Sequence, residues 1–173
     1  MLLWLKECMI SFKNFIIKIL HILILIYLLS FVPVFWGWHP LVVISGSMEP
    51  VLNVGALLYY HEYDIEDFKK DDILVYKVPN HIISHRVVES SVDGFVTKGD
   101  ANNTNDSKLV KEEQIMGIGT NWCIKYLGYY VDFVYHHKQF LYISISIFII
   151  DLFNDLYKQR KERIRCIKYD KEN

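Results

Sequence analysis

Residues 45–50 read Ser45-Gly46-Ser47-Met48-Glu49-Pro50 and separate a long apolar run from a series of short strand-like segments. Gly46 lets the backbone approach another group closely, and Pro50 restricts the chain that leaves the turn. Clusters of Ser, Gly and Pro are most often simple turns. A serine just beyond an apolar segment is also where a hydrolase can hold a nucleophile, so Ser47 is the first candidate site residue.

The upstream apolar run covers residues 19–38 (ILHILILIYLLSFVPVFWGW), 20 residues without Asp, Glu, Lys or Arg. This length is sufficient to cross the hydrocarbon core of a bilayer. The run ends with Trp36 and Trp38, and tryptophan is enriched at membrane interfaces. The small-residue pattern of a signal-peptide cleavage site does not follow it. We therefore predict an uncleaved transmembrane anchor over 19–38, preceded by a cytoplasmic or interfacial segment over 1–18.

A second apolar run, Phe140 to Phe153, is shorter and contains Asp151, so its length also fits a buried or interfacial helix. Charge favours a membrane span. Residues 39–137 carry 8 Lys and Arg against 14 Asp and Glu, whereas the two flanks carry 11 basic and 6 acidic residues. The positive-inside rule then places both termini in the cytoplasm and the acidic middle outside. We predict a second membrane helix over 138–157, a basic cytoplasmic tail over 158–173, and a multi-pass protein of the cell membrane.

Residues 39–137 are predicted to form an extracytoplasmic catalytic domain that is mostly β. Runs rich in β-branched and aromatic residues are bounded by turn or acidic residues, and Asp93-Gly94 between the last two runs is typical of a hairpin. The predicted fold class is a small β domain anchored by an N-terminal and a C-terminal transmembrane helix. The strand-like runs cover residues 56–60, 73–78, 81–89 and 94–98.

Composition argues against several other classes of protein. The basic tail directly follows an apolar segment and the whole chain has a net charge of −1. We therefore expect it to contact membrane lipid and no nucleic acid. Cys8, Cys123 and Cys166 fall on different sides of the membrane in this topology, so no disulfide framework follows. The sequence contains no metal-ligand spacing, and we expect neither a metal nor a cofactor.

A serine hydroxyl is a poor nucleophile until a neighbouring base takes its proton, and seven histidines are available for that role. His85 differs from the others because it lies within a strand-like run, on the same face as Ile83 and Val87. Taken alone, such a histidine is more often a hydrogen-bonded core residue than a catalyst. The polar loop over residues 98–106 (KGDANNTND) is either a surface turn or a segment that delivers a carboxylate to a histidine.

Three blocks of the chain resemble, in the expected order, the motif blocks of type I signal peptidases. They are residues 45–50 (SGSMEP), 84–88 (SHRVV) and 97–103 (TKGDANN), the last followed by Asp106. The His-Arg-Val block resembles the endoplasmic-reticulum-type branch, which occurs in eukaryotes, archaea and some Gram-positive bacteria. The other bacterial branch has a lysine base at the equivalent place. The layout with two spans is similar to that of bacterial and archaeal members.

The resemblance implies a serine endopeptidase that removes signal peptides from exported precursors. By position, Ser47 is the nucleophile and His85 the general base. Asp106 is the first candidate for the acid that orients His85, and Asp100 is a second important carboxylate; which of the two orients His85 stays open. By analogy with the lysine branch, Ser45 lends its hydroxyl to the oxyanion hole beside the backbone N–H of Ser47.

The partners implied are the signal peptides of secretory preproteins, membrane lipid and, through the export route, the secretion translocase. One alternative is a catalytically silent, membrane-anchored interaction subunit of a secretion complex. A second alternative is a self-cleaving or repressor-type peptidase of related fold. The presence of Ser47, His85 and Asp106 argues against the first. The membrane span and the histidine block argue against the second, whose members are soluble and use a lysine base.

Overall fold

The computed structural model describes residues 2–62 and 68–172, with the side chains of residues 2, 3, 6 and 166–172 left aside. The chain divides into two compact units. One contains Met1–Tyr27 together with His137–Asn173, and the other is Leu28–His136.

The first unit is helical. Helix α1 covers Leu2–Leu29 and helix α3 covers Lys138–Glu172. Segments Glu7–Trp36 and Lys138–Arg165 contain 18-residue windows with mean hydropathies of 2.6 and 1.5, so both are long and apolar enough to cross a membrane. Large apolar side chains along both helices are exposed, including Phe12, Ile22, Phe148 and Phe153. A lipid environment would remove this surface from water.

The bounds of α1 differ from the predicted span over 19–38. The helix begins earlier, at Leu2, and ends at Leu29, before a short 3-10 turn over Val32–Trp36. Pro33 explains the end of the helix, because proline lacks an N–H and disfavours helical geometry in the residue before it. Gly37 then takes a left-handed conformation (φ 79°) that turns the chain into the first strand.

The second unit is built on an antiparallel sheet of six strands among the described residues. The strands are β1 Trp38–Val42, β2 Leu57–His61, β3 Ile73–Val78, β4 His81–Ser91, β5 Gly94–Lys98 and β6 Ile115–Gly119. Their order across the sheet is β1-β2-β6-β3-β4-β5. The last strand in sequence therefore lies between β2 and β3.

Both faces of the central strands are covered. Side chains alternate between faces along a strand, and β3 is buried from Ile73 to Tyr76. On one face, Ile73 and Val75 pack in the first apolar cluster; on the other, Leu74 and Tyr76 pack in the second. The first cluster also contains Val43, Met48, Leu52, Ala56, Leu58 and Tyr60, and the second Phe68, Val87, Phe95 and Val110.

A short helix, α2, covers Leu127–His136 and packs against the start of β2. Tyr129 N–H donates to the carbonyl of Gly55 at 3.2 Å. A Cβ on Gly128 would lie 2.4 Å from the carbonyl oxygen of Ala56, and one on Gly55 would lie 1.9 Å from the Tyr129 ring. Glycine at both positions therefore lets helix and strand approach closely.

The four predicted strand runs correspond to β2, β3, β4 and β5, and the predicted hairpin joins β4 to β5 with Ser91 opposite Gly94. The predicted β character describes the sheet unit, where six strands stand against the ten residues of α2, whereas helix exceeds strand over the described chain as a whole. The α-helices contain 28, 10 and 35 residues, more than the six strands together. The reason is that α1 and α3 extend well beyond the apolar runs from which they were predicted.

Candidate active site

The serine of the 45–50 segment lies on a tight turn directly after β1. Residues Gly46–Met48 form one 3-10 turn, in which Glu49 N–H donates to the carbonyl of Gly46 at 3.1 Å. Met48 is only 1 % exposed and anchors the turn in the first apolar cluster. Ser47 itself is half-buried, so its hydroxyl lies at the surface of a fixed turn.

His85 occupies the middle of β4, where it pairs with Leu74 of β3. The residue is 8 % exposed, as expected from its place on the inward face of the strand. Its Nε2 atom lies 3.0 Å from Ser47 Oγ, and its Nδ1 atom lies 2.6 Å from Asp106 Oδ2. The structure thus joins Ser47, His85 and Asp106 in one row of hydrogen bonds.

The partners of the imidazole determine its tautomer. An ionised carboxylate only accepts hydrogen bonds, so Nδ1 must carry a proton and donate it to Asp106. In the neutral ring Nε2 then holds a lone pair and accepts the hydrogen bond from the Ser47 hydroxyl. This arrangement can take the serine proton during nucleophilic attack and return it afterwards.

Asp100 does not contact His85 in the structure. Its carboxylate receives two hydrogen bonds from Arg86, at 2.7 Å from Nε and 2.6 Å from Nη2. Arg86 Nη1 also donates to the carbonyl of Asp71 at 2.6 Å. The hydrogen bond with Asp100 raises the pKa of the Arg86 guanidinium, which favours its charged form.

The Arg86–Asp100 ion pair lies next to the contact between the polar loop and the serine turn. Ala101 N–H donates to the carbonyl of Ser47 at 2.9 Å. Gly99 packs against the same carbonyl, since a Cβ there would lie 2.5 Å from the oxygen. Asp100 is therefore linked to the serine turn through the backbone of residues 99–101, and its carboxylate is hydrogen-bonded to Arg86 and not to the imidazole.

Ser45 lies beside the row. Its hydroxyl oxygen is 3.3 Å from Ser47 Oγ, within hydrogen-bond distance of the candidate nucleophile. Ser45 is exposed, and its backbone is extended (φ −130°, ψ 157°).

Two further residues contact Asp106, and the sequence alone did not single them out. Thr97 Oγ1 donates to Asp106 Oδ2 at 2.6 Å, and the Tyr76 hydroxyl donates to the same oxygen at 3.3 Å. The sequence did contain an indication for Thr97, because it is a polar residue on the same strand face as the apolar Phe95. Tyr76 gave no such indication, since tyrosine is an ordinary residue in a strand.

Comparison with known proteins identifies relatives of one kind. The chain is 35% identical over 89 residues to signal peptidase I W of Bacillus subtilis, covering 48% of this chain and 47% of the relative. It is 36% identical over 91 residues to the human signal peptidase complex catalytic subunit SEC11C, covering 49% and 44%. It is 35% identical over 113 residues to the signal peptidase complex catalytic subunit SEC11 of Lachancea thermotolerans, covering 56% and 66%.

The chain spans about half the length of the first of these curated relatives. No protein-family model matches the chain.

Proposed function

We propose that the chain is a member of the endoplasmic-reticulum-type branch of the type I signal peptidases and a membrane-bound serine endopeptidase that cleaves signal peptides from exported precursors. The observation that carries the proposal is the hydrogen-bonded row of Ser47, His85 and Asp106. This row supplies a nucleophile, a base and a carboxylate at the distances that acyl transfer requires.

The proposed reaction consumes one water molecule for each peptide bond cleaved. Ser47 Oγ attacks the carbonyl carbon before the cut while His85 Nε2 takes the hydroxyl proton. The imidazolium then gives this proton to the leaving amine, and an acyl-enzyme remains on Ser47. A water molecule attacks the acyl-enzyme, and its proton passes through His85 back to Ser47. Asp106 holds the tautomer of His85 and stabilises the imidazolium in both steps.

The oxyanion that forms during each attack needs hydrogen-bond donors. We assign this role to the backbone N–H of Ser47 and the hydroxyl of Ser45, whose oxygen lies 3.3 Å from the nucleophile. Donors that are already in place before the reaction stabilise the charge without reorganisation. Arg86 and Asp100 hold the turn that carries these donors through the loop at residues 99–101.

A free strand edge supports an extended peptide as substrate. β4 pairs with β3 from His81 to Arg86 on one side, whereas its pairing with β5 begins only at Arg86. Among the described residues, no strand pairs with the other edge of residues 81–85. An extended peptide can add to such an edge through backbone hydrogen bonds, and this edge leads directly to His85. The exposed side chain of Ile82 provides an apolar contact on this edge.

Membrane anchoring fits a substrate that is itself held in the membrane, because it raises the concentration of the site near the signal peptide. We propose that α1 and α3 both span the membrane, with the sheet unit outside and both ends of the chain in the cytoplasm. The basic flanks and the acidic middle of the chain support this orientation. Association with the secretion translocase would bring precursors to the site and belongs to the same proposal.

The test is cleavage of a model precursor by the purified full chain in detergent or liposomes. Ser47→Ala should fold normally and lose activity on the order of 10⁴-fold, since no other group replaces the nucleophile. Ser90→Ala is the matched control, because Ser90 is exposed on the β4–β5 hairpin and should leave turnover unchanged.

A Ser47→Ala variant with near wild-type turnover would remove Ser47 from the mechanism. A folded wild-type protein that binds the precursor and leaves it uncut would instead favour a catalytically silent subunit.

A further inference from the structure

Among the described residues, one oxygen of Asp106 accepts three side-chain hydrogen bonds that hold this carboxylate in the row. Oδ2 lies 2.6 Å from His85 Nδ1, 2.6 Å from Thr97 Oγ1 and 3.3 Å from the Tyr76 hydroxyl. The side chain of Asp106 is 24 % exposed, so water reaches it and competes for the same oxygen. A carboxylate in a loop needs restraint if Oδ2 is to stay directed at the imidazole.

Thr97 contacts Asp106 at two points. The carbonyl oxygen of Thr97 accepts a hydrogen bond from the Asp106 N–H at 2.8 Å, and its hydroxyl donates to Oδ2 at 2.6 Å. Thr97 is fully buried on β5 and lies opposite Val87 of β4, two residues beyond His85. Because threonine is branched at Cβ, few rotamers are open to it in a strand. Neighbouring positions of β4 and β5 therefore fix both His85 and Thr97, the residue that restrains Asp106.

Tyr76 provides a second, weaker donor from β3. Its ring is 4 % exposed, and its hydroxyl lies within 3.4 Å of both Thr97 Oγ1 and Asp106 Oδ2. Burial, with a smaller contribution from the charge of Asp106, raises the pKa of Tyr76 to about 12. The hydroxyl therefore keeps its proton at neutral pH and stays a donor.

We propose that Thr97, assisted by Tyr76, is a positioning residue that holds Asp106 Oδ2 against His85 Nδ1. The inference rests on the proposed function for its catalytic consequence, whereas the hydrogen-bond geometry stands independently of any substrate. Thr97 is fully buried, and its hydroxyl donates to Asp106. It acts through the orientation of Asp106, and hence through the tautomer of His85.

The kinetic test compares Thr97→Val with Thr97→Ser on a model precursor. Valine keeps the branched shape and removes the hydroxyl, whereas serine keeps the hydroxyl and removes the methyl group. Thr97→Val should lower kcat by about 10- to 100-fold, the order expected for one lost hydrogen bond to a charged group, with KM within about twofold because binding is untouched. Thr97→Ser should restore most of kcat. Equal kcat in both variants, or a loss that falls on KM, would overturn the proposal.

The second measurement needs no substrate. The low-field proton resonance of the His85 Nδ1–H reports its hydrogen bond to Asp106, and its absence in His85→Gln identifies it. We expect the resonance in the wild type and in Thr97→Ser, and its broadening or upfield movement in Thr97→Val. An unchanged resonance in Thr97→Val, or none in the wild type, would overturn the positioning role. If the resonance responds as expected while the wild type cleaves no precursor, the proposed function fails and the positioning role stands.

Tyr76→Phe tests which of the two donors to Asp106 contributes more to kcat. Its effect on kcat should be smaller than that of Thr97→Val, because the Tyr76 distance is 3.3 Å and the Thr97 distance is 2.6 Å. A larger loss in Tyr76→Phe would contradict the assignment of Thr97 as the principal tether. If Thr97→Val does not fold, Thr97→Ala against Thr97→Ser gives the same comparison of a missing and a retained hydroxyl.

Discussion

Replacement of His85 distinguishes a histidine base from a lysine base at this site. His85 Nε2 lies 3.0 Å from Ser47 Oγ, whereas the lysine nearest to it in the motif blocks, Lys98, lies at the end of β5. We expect His85→Ala to be nearly as damaging as Ser47→Ala, and Lys98→Ala to be much milder, when precursor cleavage is measured. The double variant Ser47→Ala/His85→Ala should be little worse than either single variant, because the pair acts as one unit.

The opposite pattern would change the mechanism. If His85→Ala keeps substantial turnover while Lys98→Ala or Lys77→Ala loses it, a serine–lysine dyad replaces the serine–histidine pair.

We expect Asp100 to stabilise the fold through its ion pair with Arg86. Asp100→Asn keeps the size of the side chain but removes the charge that faces Arg86. We predict a loss of about 1–3 kcal/mol in the free energy of unfolding, the cost of weakening a part-buried hydrogen bond to a charged group, together with a smaller fall in kcat than in Asp106→Asn. Thermal unfolding and precursor cleavage measure the two effects.

Arg86→Met provides the control for Asp100. In that background Asp100→Asn should cost much less stability, because its partner is already gone. An Asp100→Asn variant with normal stability and a kcat as low as that of Asp106→Asn would indicate that Asp100 takes part in the chemistry directly.

The sequence indicated the main residues of the site but not their connections. Ser47, His85 and Asp106 were named from motif blocks, and the structure places them in one row; their roles stay predictions. The choice between Asp106 and Asp100 stayed open, since both lie in one polar loop and only the path of that loop determines which reaches the imidazole. Thr97 and Tyr76 were missed because partners across strands depend on register, which residue type does not reveal.

At the scale of elements, the loop after β5 and the serine turn pack backbone to backbone. Gly99→Ala would place a Cβ 2.5 Å from the Ser47 carbonyl oxygen, so the turn or the loop must move. We expect a fall in kcat of about tenfold or more, since small displacements of a reacting group are costly, with the sheet retained by circular dichroism.

Gly46→Ala is the matched control for packing. The atoms nearest to its Cβ would be those of the Glu49 carboxylate group, from 3.5 Å, which is ordinary van der Waals contact. Its unfolding temperature should therefore exceed that of Gly99→Ala. The reverse order of the two unfolding temperatures would contradict the steric argument at Gly99.

Strands rich in apolar and β-branched residues were predicted from the sequence, whereas β1, β6 and α2 were not. β1 was hidden because its first residue, Trp38, ends an apolar run that was assigned entirely to the membrane. β6 reads Ile-Met-Gly-Ile-Gly, and two glycines in five residues weaken any strand pattern. α2 is rich in aromatic and β-branched residues, which have low helix propensity, so packing against the sheet and not local preference explains it.

At the scale of the whole molecule, the orientation in the membrane is the property to test. In a background without native cysteines, Val92→Cys and Arg160→Cys place one thiol on the β4–β5 turn, where Val92 is fully exposed, and one on the exposed surface of α3. A membrane-impermeant maleimide added to intact cells should label Cys at 92 and spare Cys at 160 until the membrane is permeabilised. Labelling of both positions in intact cells would contradict the prediction of a second membrane span.

The position of β6 determines when the site can assemble. The serine turn lies between β1 and β2, whereas His85 lies on β4 and Thr97 on β5. Among the described strands, β6 is the one that joins the pair β1-β2 to the group β3-β4-β5 in the sheet. A chain that emerges N-terminus first therefore cannot close the sheet until residues 115–119 arrive. Before that moment the serine has no ordered base beside it. If the chain acts as proposed, strand order alone would delay its activity until β6 has paired.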